Sequence, residues 1–295
     1  MAKIERDPIT GQYTTGHQWD GIKELRTPIP QWWLMVFLAS IAFAFVSVQF
    51  LPSFPTTDGA FQGSLGYTAR LALEEQLEEA RQAQAAMRAQ IADTSLEDIV
   101  ANEELATFAY RGGQSAYAVN CIACHGVNAG GQLGQFPSLI DDAWLWGGDL
   151  QNIYTTINHG IRNGLPNARV SAMPAYATIL SEQEIEDVAD YVLALNPRSP
   201  DHGALAELPG AAAYEAQCVA CHGADGAGNQ LLGAPRLNDA IWLYGGSRDE
   251  VIAQIANPKL GVMPAFGPRL NDDAVIKMLA VYVHSLGGGE EQEGS

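Results

Sequence analysis

The pattern of hydrophobic and polar positions sets one segment apart from the rest of the chain. Residues 31–51 read QWWLMVFLASIAFAFVSVQFL and carry no charge. Their number matches the roughly 20 residues that cross a bilayer core as an α-helix. The 30 residues before the run are too many for a signal peptide, and no small-x-small cleavage site follows it. The pattern therefore predicts a retained transmembrane helix over 31–51, after an N-terminal segment of residues 1–30.

Basic residues on the two sides of this run predict its orientation. Lys3, Arg6, Lys23 and Arg26 precede it, whereas the first basic residue behind it is Arg70. Positively charged flanks stay in the cytoplasm. We therefore expect a cytoplasmic N-terminus, with the rest of the chain outside the cell membrane.

Residues 52–104 connect the predicted membrane helix to the remainder. Residues 52–66 are rich in Gly, Pro, Ser and Thr, which is typical of a linker. Residues 68–93 contain no Pro or Gly and are dominated by strong helix formers, so they predict one long helix. Its apolar stripe is weak. We interpret it as a solvated spacer helix in preference to a partner-binding one.

Four short blocks then occur twice in the same order, which indicates a tandem duplication. We place the junction near residues 196–203, which predicts domains at 105–198 and 204–288 and an acidic tail at 289–295. The second copy lacks about eight residues between its second and third blocks. The paired blocks are CIACHG at 121–126 with CVACHG at 218–223, WLWGG at 144–148 with WLYGG at 242–246, MPAY at 173–176 with MPAF at 263–266, and YVLAL at 191–195 with YVHSL at 282–286.

Both repeats predict the same helices. One leads into the cysteine block (108–124 and 211–221), one follows WxxGG (150–161 and 248–255), and an amphipathic one closes each repeat. Ser181 with Glu184 fits a capping box for the first closing helix, and Asn271 is the predicted N-cap of the second. No segment of either repeat alternates well enough to predict a strand.

Composition narrows the function. A chain of 295 residues corresponds to roughly two domains. The net charge of −18 argues against nucleic-acid binding; it fits both plain solubility and the steering of a basic partner. The four cysteines form two close pairs, so none remains for a disulfide framework.

Each cysteine pair belongs to C-x-x-C-H, the attachment signature of c-type haem. The two thiols bond covalently to the porphyrin, and the histidine is the proximal iron ligand. A thioredoxin-like motif would need a βαβ context, and zinc would need four converging ligands. The sequence therefore predicts two covalently bound haem c groups, one held by Cys121, Cys124 and His125 and the other by Cys218, Cys221 and His222.

Met173 and Met263 are the predicted distal iron ligands. Each begins a Met-Pro-Ala-aromatic block in a loop before a closing helix. A lone methionine more often fills a core, but this one recurs at the equivalent place in both repeats. A Met/His pair raises the reduction potential and closes the iron, which favours electron transfer over ligand chemistry. The fold class is thus all-α, with a single N-terminal transmembrane helix, a spacer helix and two tandem class I cytochrome c-like domains.

The remaining polar candidates are weaker. His159 could approach a haem, although an ordinary polar role is favoured, and His202 and His284 are interpreted as bystanders. His17 lies on the cytoplasmic side. The tryptophans of WLWGG and WLYGG are expected to pack against a haem edge or cap a helix rather than relay electrons. Candidate partners for haem propionates are Arg162, Arg169 and Arg236.

With these features assembled, the chain resembles the CcoP/FixP family, the dihaem subunit III of cbb3-type cytochrome c oxidases. Residues 20–33, DGIKELRTPIPQWW, resemble the family's DGI-x-EL…P-x-P-x-WW entry into the membrane. Arg26 and Thr27 stand where the family commonly has two asparagines. Some relatives carry a second, earlier transmembrane helix, whereas this sequence predicts one. The resemblance covers essentially the whole chain.

The resemblance implies an electron-transfer subunit without a catalytic site of its own, in the bacterial inner membrane with periplasmic haem domains. It would accept electrons from cytochrome c or the bc1 complex. It would pass them to the monohaem cytochrome subunit and the catalytic b-type haem–copper subunit of a proton-pumping oxidase. The family also implies that each methionine serves the other domain's haem, whereas spacing makes own-domain ligation simpler, so the pairing stays open. The alternatives are a membrane-tethered electron shuttle, the cytochrome subunit of a periplasmic dehydrogenase, or a dihaem peroxidase.

Overall fold

A computed structural model describes residues 3–288, and the chain divides into two compact units between Ala83 and Gln84. The acidic tail predicted for 289–295 lies outside the described residues. The fold is mostly helical, as predicted, with two small antiparallel hairpins in the first unit.

The first hairpin lies in the N-terminal segment and was not predicted. Strands β1 (Thr14–Trp19) and β2 (Ile22–Leu25) are joined by Asp20 and Gly21, whose φ angles are 47° and 85°. A two-residue hairpin turn with positive φ at both positions favours Asp-Gly. The DG dipeptide at the start of DGIKEL was therefore the signal for this hairpin.

Helix α1 (Gln31–Phe50) follows, and within residues 3–288 it is the one helix long and apolar enough to cross a membrane. Its mean hydropathy is 2.1 and none of its residues is buried within the protein. A second, short hairpin of β3 (Pro55–Thr56) and β4 (Gly59–Ala60) follows it in the predicted linker.

The predicted spacer is helix α2 (Ala69–Asp93). Most of its side chains are exposed, but Ile91 near its end is fully buried in the first hydrophobic core of the second unit. Two short 3-10 helices occur at Tyr176–Thr178 and His202–Glu207. The remaining helices are α3 (Leu96–Ala101), α4 (Glu103–Asn120), α5 (Ile122–His125), α6 (Leu150–His159), α7 (Glu182–Ala194), α8 (Ala211–Gln217), α9 (Val219–His222), α10 (Arg248–Ala256), α11 (Phe266–Leu270) and α12 (Asp273–His284).

The first core lies between α4, α6 and α12. It buries Ala109 and Tyr117 from α4, Ile153 from α6 and Leu279 from α12. The ring centroid of Tyr282 in α12 lies 5.3 Å from that of Tyr117. Helices α4 and α6 belong to the first repeat, but α12 is the closing helix of the second.

The second core lies between α7, α8 and α10 and mirrors this arrangement. Val188 of α7, Tyr214 of α8 and Val251 of α10 are buried in it. Tyr191, the counterpart of Tyr282, lies with its ring centroid 4.8 Å from that of Tyr214. The closing helix of the first repeat therefore packs on the N-terminal helix of the second.

The two repeats thus exchange their closing helices. The second core is continuous in sequence from Met173 to Ala256, and the first core combines segments before and after it. The bounds 105–198 and 204–288 describe sequence repeats, and the packed cores cross them. This exchange was not predicted, because sequence periodicity defines the buried face of a helix but not its partner.

Helix caps show one confirmed prediction and one wrong one. Ser181 and Glu184 form the predicted capping box at α7. Asn271 does not cap α12: it ends α11 in a left-handed conformation with φ 49°. Asp272 is the N-cap instead, and its carboxylate accepts from the Val275 amide at 3.2 Å. Asparagine tolerates the left-handed region better than most residues, which explains its place at the end of α11.

Candidate haem-binding sites

The two C-x-x-C-H motifs adopt the same local structure. In each, a helix ends at the first cysteine and a single helical turn, α5 or α9, carries the chain to the histidine. The amides of His125 and His222 donate to the carbonyls of Cys121 and Cys218, both at 2.9 Å. Glycine follows each histidine with a φ of 79°, which ends the turn. Cys124 and Cys221 are exposed.

A proline carbonyl orients each histidine ring. The Nδ1 atoms of His125 and His222 lie 3.0 Å from the carbonyl oxygens of Pro137 and Pro235. A carbonyl only accepts hydrogen bonds, so Nδ1 carries the proton and the Nε2 lone pair stays available to a metal. Burial lowers the pKa of both rings despite these hydrogen bonds, which favours the neutral form that ligates metals.

Sequence reasoning missed these proline carbonyls, although a signal was present. PSLID at 137–141 recurs as PRLND at 235–239, a fifth repeated block. It also missed Tyr117 and Tyr214, which stand four residues before each motif. Their hydroxyls donate to the carbonyls of Gly126 and Gly223 at 2.9 and 2.8 Å, tying the end of each motif to the preceding helix.

Met263 shares a core with the first motif. Met263 packs against the first core together with Cys121 and Ile122. Its amide donates to the Ile161 carbonyl at 2.9 Å, and its carbonyl accepts from the Ile161 amide at 3.0 Å. Asn163 Nδ2 adds a third bond to the Met263 carbonyl at 3.1 Å. The methionine loop of the second repeat is thereby fastened to the first.

Met173 shares a core with the second motif. It packs against the second core with Cys218 and Val219. The hydroxyl of Tyr176, in the same Met-Pro-Ala-aromatic block, donates to the Gln217 carbonyl at 2.9 Å, immediately before Cys218. Each motif thus shares a core with the methionine of the other repeat.

Buried N–H groups that lack a hydrogen-bond acceptor indicate whether the residues present suit a haem. Among the described residues, the buried Trp146 Nε1 and Arg169 Nε have no hydrogen-bond partner. They are neighbours, since the Arg169 guanidinium carbon lies 5.2 Å from the centroid of the Trp146 ring. Buried donors need acceptors, and a carboxylate such as a haem propionate would satisfy both. Trp144, whose Nε1 is also without an acceptor within residues 3–288, packs against the first core.

The other candidates have ordinary partners. His159 Nε2 lies 3.4 Å from Asn158 Nδ2, His202 Nδ1 lies 3.0 Å from the Ala194 carbonyl, and His17 lies 3.6 Å from the Glu24 carboxylate. Arg162 donates to two backbone carbonyls. Trp242, the counterpart of Trp144, packs against the second core, so both tryptophans have packing roles.

Three family models match successive parts of the chain. Residues 11–58 match the N-terminal domain of cytochrome oxidase-cbb3, FixP. Residues 110–196 match cytochrome c, and residues 206–283 match cytochrome C oxidase, cbb3-type, subunit III.

Curated relatives are similar over nearly the full length. The cbb3-type cytochrome c oxidase subunit FixP of Sinorhizobium medicae is 47% identical over 96% of this chain and 97% of its own. Subunit CcoP of an Azospirillum species is 44% identical over 98% of this chain and all of its own. Subunit CcoP of Cereibacter sphaeroides is 42% identical over 94% and 95%.

Proposed function

Because this chain belongs to the FixP/CcoP family of cbb3-type cytochrome c oxidase subunits, we propose that it is the dihaem electron-transfer subunit of such an oxidase. It accepts electrons from cytochrome c or the bc1 complex. It passes them to the monohaem cytochrome subunit and to the b-type haem–copper subunit, where oxygen is reduced to water.

The observation that supports this role most directly is the pairing of each C-x-x-C-H motif with one methionine loop in a shared core. We propose crosswise ligation. His125 and Met263 bind the iron of the haem on Cys121 and Cys124, and His222 and Met173 bind the iron of the haem on Cys218 and Cys221. With a histidine and a methionine holding each iron, haem c would supply a one-electron carrier that is closed to other ligands.

The chain's own groups hold these ligands in place. The prolyl carbonyls fix the protonated Nδ1 of each histidine, and Tyr117 and Tyr214 fix the backbone after it. The adjacent Trp146 Nε1–H is suited to donate to a propionate and the Arg169 guanidinium to neutralise it, since burial of an unpaired carboxylate would otherwise be costly.

We also propose that α1 crosses the inner membrane with residues 1–30 in the cytoplasm. The basic residues before α1 support this orientation. The C-x-x-C-H motifs then lie in the periplasm, where haem is attached.

Purification from the native membrane in mild detergent tests the subunit assignment. Reduced-minus-oxidised and CO-difference spectra should show b-type haem with the chain, and the preparation should consume oxygen. If c-type haem alone co-purifies and CO has no effect, the oxidase assignment is wrong and the chain is a tethered electron shuttle.

Single-motif backgrounds test the crosswise ligation. With both cysteines of the second motif replaced by alanine, Met263→Leu should abolish methionine ligation of the remaining haem and Met173→Leu should not; the reverse holds when the first motif is removed. Met278→Leu is the matched control, since Met278 is a buried methionine of the first core that belongs to helix α12 and not to a methionine loop. If Met173→Leu affects the haem on Cys121, ligation stays within each repeat.

A further inference from the structure

One arginine lies between the two methionine loops. Arg162 Nε donates to the Gly261 carbonyl at 2.7 Å, and its Nη1 donates to the Ser171 carbonyl at 3.0 Å. Gly261 stands two residues before Met263, and Ser171 stands two residues before Met173. A single guanidinium therefore holds the equivalent carbonyl in both repeats.

The backbone around Arg162 is held from several directions. Its φ is 48°, a left-handed conformation that is uncommon outside glycine and is kept where the surroundings enforce it. The Arg162 amide donates to the Arg169 carbonyl at 2.9 Å. The preceding residue, Ile161, pairs with both Arg169 and Met263 as isolated bridges. The guanidinium thus projects from a fixed point where segments of both repeats meet.

The second repeat has no counterpart of this arginine. Met173 comes 25 residues after Gly148, whereas Met263 comes only 17 after Gly246. The missing residues fall between the middle helix and the methionine, where Arg162 stands in the first repeat. One side chain consequently serves both loops.

The positive charge of Arg162 strengthens its hydrogen bonds to the Gly261 and Ser171 carbonyls. Within residues 3–288 no carboxylate forms an ion pair with Arg162, which is partly buried. Its positive charge is therefore compensated mainly by carbonyl oxygens, and hydrogen bonds from a charged donor are about twice as strong as neutral ones. The planar fork of arginine can reach two acceptors at once, which the point charge of lysine matches poorly.

We propose that Arg162 is a positioning residue that holds both methionine loops in ligating geometry, so that one side chain controls the distal ligation of both haems. The proposal rests on the proposed function, in which Met173 and Met263 are the distal ligands. Loss of the Arg162 guanidinium releases both methionine loops together, although the two C-x-x-C-H motifs lie in different cores.

The test compares Arg162→Gln and Arg162→Lys in the full-length, haem-loaded chain. Imidazole titration of the ferric protein measures how readily methionine is displaced, and the far-red sulfur-to-iron absorption band measures how much methionine ligation remains. We expect displacement to become roughly tenfold easier at both haems in both variants, as the loss of one charged hydrogen bond per loop implies. Arg248→Gln is the control, because it removes an exposed guanidinium that binds only Glu186 and Asp190 among the described residues.

The outcomes separate the proposal from competing explanations. If Arg162→Lys resists imidazole as the unchanged protein does, or if only one haem responds, the proposal is wrong. It is also overturned if Arg162→Gln eases imidazole displacement only as far as Arg248→Gln does, since that is an effect of charge alone. If Met173→Leu and Met263→Leu themselves leave the absorption band intact, the proposed ligation fails instead. If Arg162→Gln does not fold, the Arg162→Lys variant tests the proposal by itself.

Discussion

The crossing of α4 and α12 makes Gly113→Ala a sensitive test of the exchanged helices. A Cβ atom on Gly113 would lie 2.1 Å from the Met278 carbonyl oxygen and 2.6 Å from Tyr282 Cβ. A carbon–oxygen contact needs about 3.3 Å, so α12 must retreat by roughly 1 Å. The obstacle is backbone, which no rotamer change can relieve.

The change in the free energy of unfolding caused by Gly113→Ala is the sum of two opposing effects. Replacing glycine by alanine inside a helix gains about 1 kcal/mol, whereas overpacking costs about 1–3 kcal/mol, occasionally more. With backbone as the obstacle we expect the upper end of that cost, and a net loss of about 1–2 kcal/mol. For a unit of this size that lowers the melting temperature by about 2–8 °C.

Far-UV circular dichroism of the haem-loaded chain in detergent measures this melting temperature. Gly112→Ala is the matched control. Its Cβ would lie 2.4 Å from Met278 Sδ, the flexible part of a side chain that can move aside, so this variant should melt at or above the original temperature. The reasoning is refuted if Gly113→Ala is as stable as the unchanged chain, or if Gly112→Ala is the more damaging of the two.

Three further changes probe other contacts. Gly210→Ala should destabilise the second core in the same way, since its Cβ would lie 2.1 Å from the Asp187 carbonyl oxygen. Lys277→Met should cost about 1–3 kcal/mol and speed hydrogen exchange at the end of α2, because the ammonium donates to the carbonyls of Ala92 and Thr94 at 2.6 and 2.9 Å. At the Asp149 cap of α6, burial raises the carboxyl pKa, but hydrogen bonds, chiefly from Asn152, outweigh it and lower the pKa below 3.8. The carboxylate therefore stabilises the fold above that pH and loses its effect as the pH falls through the lower folded value, so Asp149→Asn should flatten the acid side of a stability-against-pH curve.

A different result would contradict each of these three predictions. An unchanged melting temperature for Gly210→Ala would place α7 and α8 further apart than the structure does. Equal exchange rates at α2 with and without the Lys277 ammonium would show that this contact adds no protection. A stability curve for Asp149→Asn that keeps its full slope below pH 4 would assign acid sensitivity to other carboxylates.

Local sequence determined the elements and most of the candidate ligands. The uncharged run predicted α1 to within one residue of its end, and duplicated blocks predicted the main helices of the two repeats and eight candidate haem-binding side chains. These features depend on neighbours close in sequence: apolar spacing, capping residues and the fixed geometry of C-x-x-C-H. Where local signals were overlooked, as with the Asp20-Gly21 turn, the information was still present in the chain.

Only the tertiary structure decided which closing helix packs in which core. The two closing helices have similar buried faces, and each could pack on either N-terminal helix as far as periodicity shows. The choice depends on contacts between distant residues, such as Tyr117 with Tyr282 and Tyr176 with Gln217. For the same reason the place of Arg162 between both methionine loops was not predictable: its two acceptors are backbone carbonyls, which leave no trace in the identity of the residues that carry them.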